Sequence, residues 1–236
     1  MGCYHRCIYC YARLYTRDRR AAERWGEVVL VKRNLIQLLE MEVSRTRKGV
    51  VGIGTITDAY QPAEATYRLT RKSLQILLPK GFRVSIQTKN PLVLRDLDIL
   101  SSFKGSVDVG FTITTINGKI SSFIEPCAPH PSSRAEALRE VSDAGVKTWI
   151  FYGPMIPGIN DRSEDVEDLL KLAAETGSVL YFDPLHVKPF MLSSDHPLHD
   201  VAYSGRISSQ LSGTIRYLKR RCEEEGIECR GGFEVT

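Results

Sequence analysis

The sequence predicts an α/β fold built on parallel strands. Short runs rich in Val and Ile alternate with helical patterns at intervals of roughly 25 to 40 residues. That alternation means parallel strands joined by crossover helices, because a tight hairpin returns the chain antiparallel. Composition agrees with a globular chain: of 236 residues 42% are apolar and 25% charged, enough to bury a substantial core. One soluble domain over 1–236 is expected. No apolar run approaches the length of a membrane span, and the N-terminus lacks the basic-then-apolar order of a signal peptide, so no membrane partner and a cytoplasmic location are expected. The net charge of +4 permits a nucleic-acid partner without requiring one.

The elements follow in order. The Val-rich stretch 27–31 reads as a short extended segment, and Asn34 then caps a helix running to about 47, with Leu35, Leu38 and Leu39 at helical spacing. Residues 49–57 (GVVGIGTIT) read as a buried strand whose glycines let another group come close. A helix is expected at 63–78, a strand at 83–88, and a helix at 92–103 after Pro91. Strands at 107–114, 147–152 and, last, 179–182 alternate with helices at 134–144 and 163–176. A long charged helix, 206–225, belongs to a C-terminal extension over about 204–236. Gly52-Ile53-Gly54 lacks a third glycine and a following helix start, which excludes a dinucleotide fingerprint.

In parallel barrels the chemistry gathers at the C-terminal ends of the strands. Polar residues fall at those ends here: Thr57 and Asp58, Thr88 and Lys89, Thr112 and Thr114, Glu125, and the Gly153-Pro154 turn.

The strongest local signal lies before any strand. Cys3, Cys7 and Cys10 are spaced C-x3-C-x2-C. Three thiolates so close can converge on one inorganic centre. A four-iron cluster that only carries electrons has a cysteine on each iron. No fourth cysteine lies near, the next being Cys127, so such a cluster would keep one iron open. Zinc is the alternative, with His5 as a fourth ligand of poor reach. A disulfide framework is not expected in a chain of this length, and Cys222 and Cys229 read as incidental thiols rather than remnants of a second cluster. Because Cys3 leaves no room for a preceding strand, the first strand is expected to be missing or atypical.

Several motifs in order extend the picture: Cys-Ile-Tyr-Cys-Tyr-Ala-Arg (7–13), Thr-Asp-Ala-Tyr-Gln-Pro-Ala-Glu (57–64), Tyr-Arg-Leu-Thr-Arg (67–71), Thr-Lys (88–89), Glu-Pro (125–126) and Pro-Met-Ile-Pro-Gly-Ile-Asn-Asp (154–161). Over about 3–190 the chain resembles the radical S-adenosylmethionine superfamily, in its spore photoproduct lyase-like (DNA repair photolyase-like) branch. The resemblance implies a partial (β/α)6 barrel of the TIM type, a [4Fe-4S] cluster on Cys3, Cys7 and Cys10, and S-adenosylmethionine on the open iron. Reductive cleavage would give a 5′-deoxyadenosyl radical that abstracts hydrogen from a substrate, with a nucleic-acid base as one class. It implies an electron donor such as flavodoxin or ferredoxin. By position, Tyr9 would lie against the adenine and Ile156 would pack on it. Thr57 and Asp58 would meet the methionine amino group, and Lys89, with Arg134 as a second cation, the carboxylate. Thr112 would lie near the ribose. Tyr9 and Tyr11 match two tyrosines flanking the lyase's last cluster cysteine, which makes Tyr11 a candidate in radical return. The lyase's hydrogen-returning cysteine is matched by Thr55, whose O–H bond is too strong for that role. Cys127 is the candidate substitute, or else an inert buried thiol. A different class stays open: a metal- or cluster-containing nucleic-acid-binding module without radical chemistry, using the basic residues of 17–24 and 216–221.

Overall fold

The computed structural model describes residues 1–232. Its frame is a six-stranded, all-parallel sheet with the strands side by side in chain order. The strands are β1 (Val50–Ile53), β2 (Arg83–Thr88), β3 (Val107–Thr112), β4 (Lys147–Met155), β5 (Val179–Pro184) and β6 (Cys229–Gly231). β1 and β6 do not pair with each other, so the sheet is an open, partial barrel. The predicted α/β class and parallel order are therefore those of the protein. β3, in the middle, is buried at five of its six positions, as a strand covered on both faces must be.

The helices are α1 (Ala12–Tyr15), α2 (Arg19–Glu23), α3 (Leu35–Val43), α4 (Ala63–Tyr67), α5 (Leu69–Leu77), α6 (Leu97–Ser102), α7 (Gly118–Ile124), α8 (Pro131–Asp143), α9 (Ser163–Thr176), α10 (His199–Tyr203) and α11 (Ile207–Glu225). One main core holds the apolar faces of α5, α8 and α9 against Val84, Ile86, Val109, Phe111, Ile150 and Leu180. α9 occupies the span expected of it.

Several boundaries differ for local reasons. The predicted strand 49–57 stops at Ile53, because Gly54 turns away at φ 105° with its Cα against the Gln87 carbonyl, where a Cβ would come within 2.0 Å. The predicted helix 63–78 breaks at Arg68, which is left-handed at φ 51°. The one at 92–103 begins as a 3-10 turn, Pro91–Asp96, capped by the Asn90 side chain. Asn34 precedes α3 without a side-chain cap bond, and α3 ends at Val43. α8 begins at Pro131 rather than 134, with His130 as its cap. Residues 27–31 are irregular rather than a strand. α7, α10 and β6 carry no clear periodic signal and were not expected.

The largest correction is at the C-terminal end. Cys222 and Cys229 are not incidental thiols: they form a disulfide joining the last turn of α11 to β6. Residue 182 does not end the last strand either, since β6 adds to the edge of β5. The final residues of the expected extension, 233–236, lie outside the described residues.

Candidate cluster and cofactor site

The cysteine loop, residues 3–10, is tied to the C-terminal ends of the strands by hydrogen bonds from several segments. The Ile8 amide donates to the Ile124 carbonyl at 3.0 Å, and the Cys127 amide donates to the His5 carbonyl at 3.2 Å. Thr57 Oγ1 donates to the Gly2 carbonyl at 2.7 Å, and Gln61 Nε2 reaches the same oxygen at 3.3 Å. The Gln61 amide oxygen in turn accepts from the Tyr4 amide at 3.0 Å. His196 Nε2 lies 3.1 Å from the Ile8 carbonyl.

A second layer closes the loop from outside. α1, α2 and the stretch 24–30 fold back over it, and both the Met1 amino group and the Leu30 amide bond across to the partner residue's carbonyl, at 2.7 and 2.8 Å. Contact is so close that a Cβ on Gly2, at φ 83°, would sit 2.2 Å from the Val28 carbonyl oxygen. Trp25 in this strap packs with Cys3 and Ala12, with Cys10 against them.

The three thiols are free, and Cys3 and Cys7 are buried. Burial pushes their pKa values up, Cys3 to about 11 and Cys7 and Cys10 to about 12. Each also feels the charge of another: Cys3 that of Cys10, Cys7 that of Cys3, and Cys10 that of Cys7. Backbone N–H groups of Asp58 and His5 beside Cys3, and of Ala12 beside Cys10, pull the other way, toward the thiolates. Lys89 and Arg134 do the same at Cys7. Three neighbouring sulfurs, shielded from water yet met by N–H donors and cations, suit a polynuclear iron–sulfur cation. Among the described residues no three His, Cys, Asp or Glu side chains are gathered closely enough to hold a single metal ion.

Below the loop lies a buried charged network. Glu125, 1% exposed, accepts from the Tyr9 hydroxyl and from Arg134 Nη1, with Lys89 Nζ 3.8 Å from one of its oxygens. Arg134 is fully buried and spends its remaining donors on the Pro129 carbonyl at 2.7 Å, the Thr112 carbonyl at 3.2 Å and the Ser121 hydroxyl at 3.3 Å. Burial opposes the Glu125 carboxylate, but Arg134 and Lys89 hold its pKa below the usual range. Burial equally opposes the Lys89 ammonium, yet Cys7 and Glu125 beside it raise its pKa. The Lys89 ammonium also lies 5.8 Å from the centre of the Tyr9 ring. Glu125 binds three of the predicted site residues together, although it had no role of its own in the sequence; it does not end a strand as expected but directly follows α7, and the Glu-Pro pair at 125–126 was the available sign.

Asp58 anchors the other side. Its Oδ1 accepts from the Tyr60 amide at 2.9 Å and the Thr88 hydroxyl at 2.7 Å. Its Oδ2 accepts from the Lys89 amide at 2.7 Å, with His5 Nδ1 at 3.4 Å. Burial alone would raise its pKa; the bonds from His5 and Thr88, with Lys89 near, bring it to about 2. The carboxylate's lone-pair positions are thus all taken by the protein. Thr112 Oγ1 accepts from Gln87 Nε2 at 3.1 Å. Ile156 is fully buried, its amide held by Asn160 Oδ1 at 2.7 Å, while Asn160 Nδ2 donates to the Thr114 and Pro154 carbonyls. Tyr11 lies on the rim, exposed, with its hydroxyl on the Thr55 carbonyl at 2.6 Å. Cys127 is a half-buried free thiol in the segment that ties down His5.

The basic run of 17–24 is largely paired at the surface: Arg19 with Glu23, Arg20 with Asp18 and Arg24 with Glu27. Arg221 is similarly held by Glu167, Glu224 and Glu225. Among the described residues no helix is long and apolar enough to cross a membrane.

Comparison with known proteins returns one family and a consistent fold. A family model described as the radical SAM superfamily matches residues 1–173. An uncharacterised protein of Methanocaldococcus jannaschii is 35% identical over 188 residues, which are 80% of this chain and 69% of that protein. An uncharacterised protein of Acidianus two-tailed virus is 34% identical over 188 residues, 75% of this chain and 62% of that one. The chain therefore spans about two thirds of the length of these relatives. Among solved structures, spore photoproduct lyase complexed with a dinucleoside spore photoproduct superimposes with a TM-score of 0.68 at 16% identity, over 98% of this chain and 74% of the lyase.

Proposed function

The chain belongs to the radical SAM superfamily, and from that premise we propose that it is an enzyme holding a [4Fe-4S] cluster on Cys3, Cys7 and Cys10 with S-adenosylmethionine beside it. When bound, these groups supply one-electron cleavage of the sulfonium and a 5′-deoxyadenosyl radical able to abstract hydrogen. The observation that carries the reading is the juxtaposition of three free thiols in one tethered loop with the buried Lys89–Glu125–Arg134 network.

In this reading the protein's own groups bind and shield. Lys89 takes the methionine carboxylate, because its ammonium reaches Glu125 only at 3.8 Å and has donors to spare. Glu125 and Arg134 hold Lys89 and Tyr9 in place from the buried side, and Tyr9 offers its ring to the adenine. The 57–58 segment lines the amino-group side, Thr112 the ribose side and Ile156 the adenine pocket. The loop and its strap keep water from the sulfurs.

The substrate class we propose is a nucleic-acid base or related nucleotide, entering at the barrel mouth. Exposed Tyr11 and Tyr15, 5.9 Å apart edge to face, offer rings for stacking. Tyr11 and Cys127 are the candidates for returning hydrogen, and a flavodoxin or ferredoxin is the candidate reductant.

Anaerobic reconstitution with iron and sulfide, followed by dithionite and S-adenosylmethionine, tests the reading. The expected products are 5′-deoxyadenosine and methionine in equal amounts, absent from Cys7→Ala. A fully iron-loaded wild-type protein that leaves the cofactor intact would refute it. Stoichiometric zinc in place of iron, with salt-dependent nucleic-acid binding, would hand the protein to the non-catalytic alternative.

A further inference from the structure

We propose that the indole N–H of Trp25 is a hydrogen-bond donor to a sulfur of the cluster held by Cys3 and Cys10, and that it thereby sets the cluster's reduction potential. The inference rests on the reading of the cysteine loop as a cluster site and adds to it a residue outside the cysteine motif.

Trp25 is 7% exposed, yet its Nε1 is buried without a hydrogen-bond partner. Buried polar groups are almost always paired, since water is lost and must be replaced. Among the described residues only two other buried side-chain atoms share this state, His5 Nε2 and Thr114 Oγ1. An indole nitrogen is a donor only, with no tautomer that removes the need for an acceptor. The missing acceptor must therefore be something that the protein atoms alone do not provide.

The packing identifies it. Trp25 shares its small apolar cluster with Cys3, Ala12 and Cys10, apart from the main core. The residues that follow it are anchored to the cysteine segment: Val28 passes against Gly2, Leu30 pairs with Met1, and Glu27 lies 3.6 Å from Arg6. A cluster held by Cys3 and Cys10 would bring thiolate and sulfide sulfur, both acceptors, among these same residues. An N–H···S bond is stronger to the more negative, reduced state, so it raises the potential. Trp25 is thus a positioning and tuning residue rather than a catalytic one.

The test uses the cluster-loaded protein and reads its electronic state. Trp25→Phe keeps the ring and removes the donor. The expected result is unchanged iron and sulfide content with a more negative potential. At a fixed potential the reduced-to-oxidised ratio should fall by up to about tenfold, equivalent to ~59 mV for one electron. A purely packing role would alter iron loading or melting temperature and leave the potential where it was. A second measurement needs no substitution. In wild-type protein carrying 15N-indole tryptophan, pulsed electron paramagnetic resonance of the reduced cluster should show coupling to one indole nitrogen. The only other tryptophan, Trp149, gives its N–H to Asp108 at 2.8 Å on the sheet. No indole coupling together with an unchanged potential overturns the Trp25 assignment while leaving the cluster in place. Wild-type protein that takes up no cluster overturns both.

Discussion

Among the described residues the Lys89 ammonium has its one carboxylate within 4 Å in Glu125, at 3.8 Å, with Asp58 farther off, and Glu125 is already engaged by Tyr9 and Arg134. Removing the ammonium therefore leaves Glu125 paired and the fold intact, but deletes one charge-assisted contact to the cofactor. Lys89→Ala should weaken S-adenosylmethionine binding by about 10- to 100-fold, the equivalent of about 1.5–3 kcal/mol. Iron content should stay at the wild-type level. Equilibrium dialysis on the loaded protein checks this, and equal affinity would remove Lys89 from the site. At this scale the sequence showed what short spacing can show. The cysteines lie within eight positions of one another, and Lys89 and Asp58 follow directly on strand patterns. Glu125 and Trp25 gain their meaning from partners far along the chain, Tyr9 and Lys89 for one and Cys3 for the other, and no local pattern carries such contacts.

The elements were legible where a period ran long enough to be counted. α9 and β2 stand where their patterns put them, whereas the three residues of β6 offer no alternation to count, and Arg68 breaks a helix by adopting a left-handed conformation that its side chain does not announce. The disulfide was missed because chain length argued against a need for staples; its role is local. It closes the short turn between α11 and β6 and keeps that edge strand on β5. In the chain-entropy account a loop this short contributes about 2.5 kcal/mol. Cys222→Ser with Cys229→Ser should lower the melting temperature of the iron-free protein by roughly 5–10 °C. Dithiothreitol should reproduce the drop in wild type and have no effect on the double variant. Identical melting of the two proteins without reductant would show that the bond contributes nothing.

Across the whole molecule, alternation fixes parallel strands joined by crossovers, while their side-by-side order in a partial barrel was implied by the resemblance, since doubly wound sheets share the same alternation. How the first thirty residues fold back on the sheet follows from neither, because it depends on glycine contacts and backbone pairings with no periodic trace. Charge gives a property of the whole chain to test. Arg71 holds Asp98 down to about 2, and Arg221 with Tyr217 holds Glu167 below its ordinary value. A carboxyl lowered in the folded state binds fewer protons there than when unfolded, so its stabilisation is full above the unfolded pKa near ~4 and is lost as pH falls toward 2. These groups are largely exposed, which keeps the effect small. Urea titrations of the iron-free protein should show an acid limb in which stability declines below about pH 4. Arg71→Gln should shrink that decline, and an unaltered acid limb would exclude the pair as its source. The tethers on the cysteine loop bear on how the protein matures. Ile124, Cys127, Thr57, Gln61 and His196 hold the loop by contacts that contain no metal. In a zinc finger, by contrast, binding the metal is the folding reaction. Here the tethers on the loop are made of protein atoms alone, so a chain stripped of iron by oxygen is expected to stay folded and to take up iron again, and damage to the centre need not mean loss of the chain.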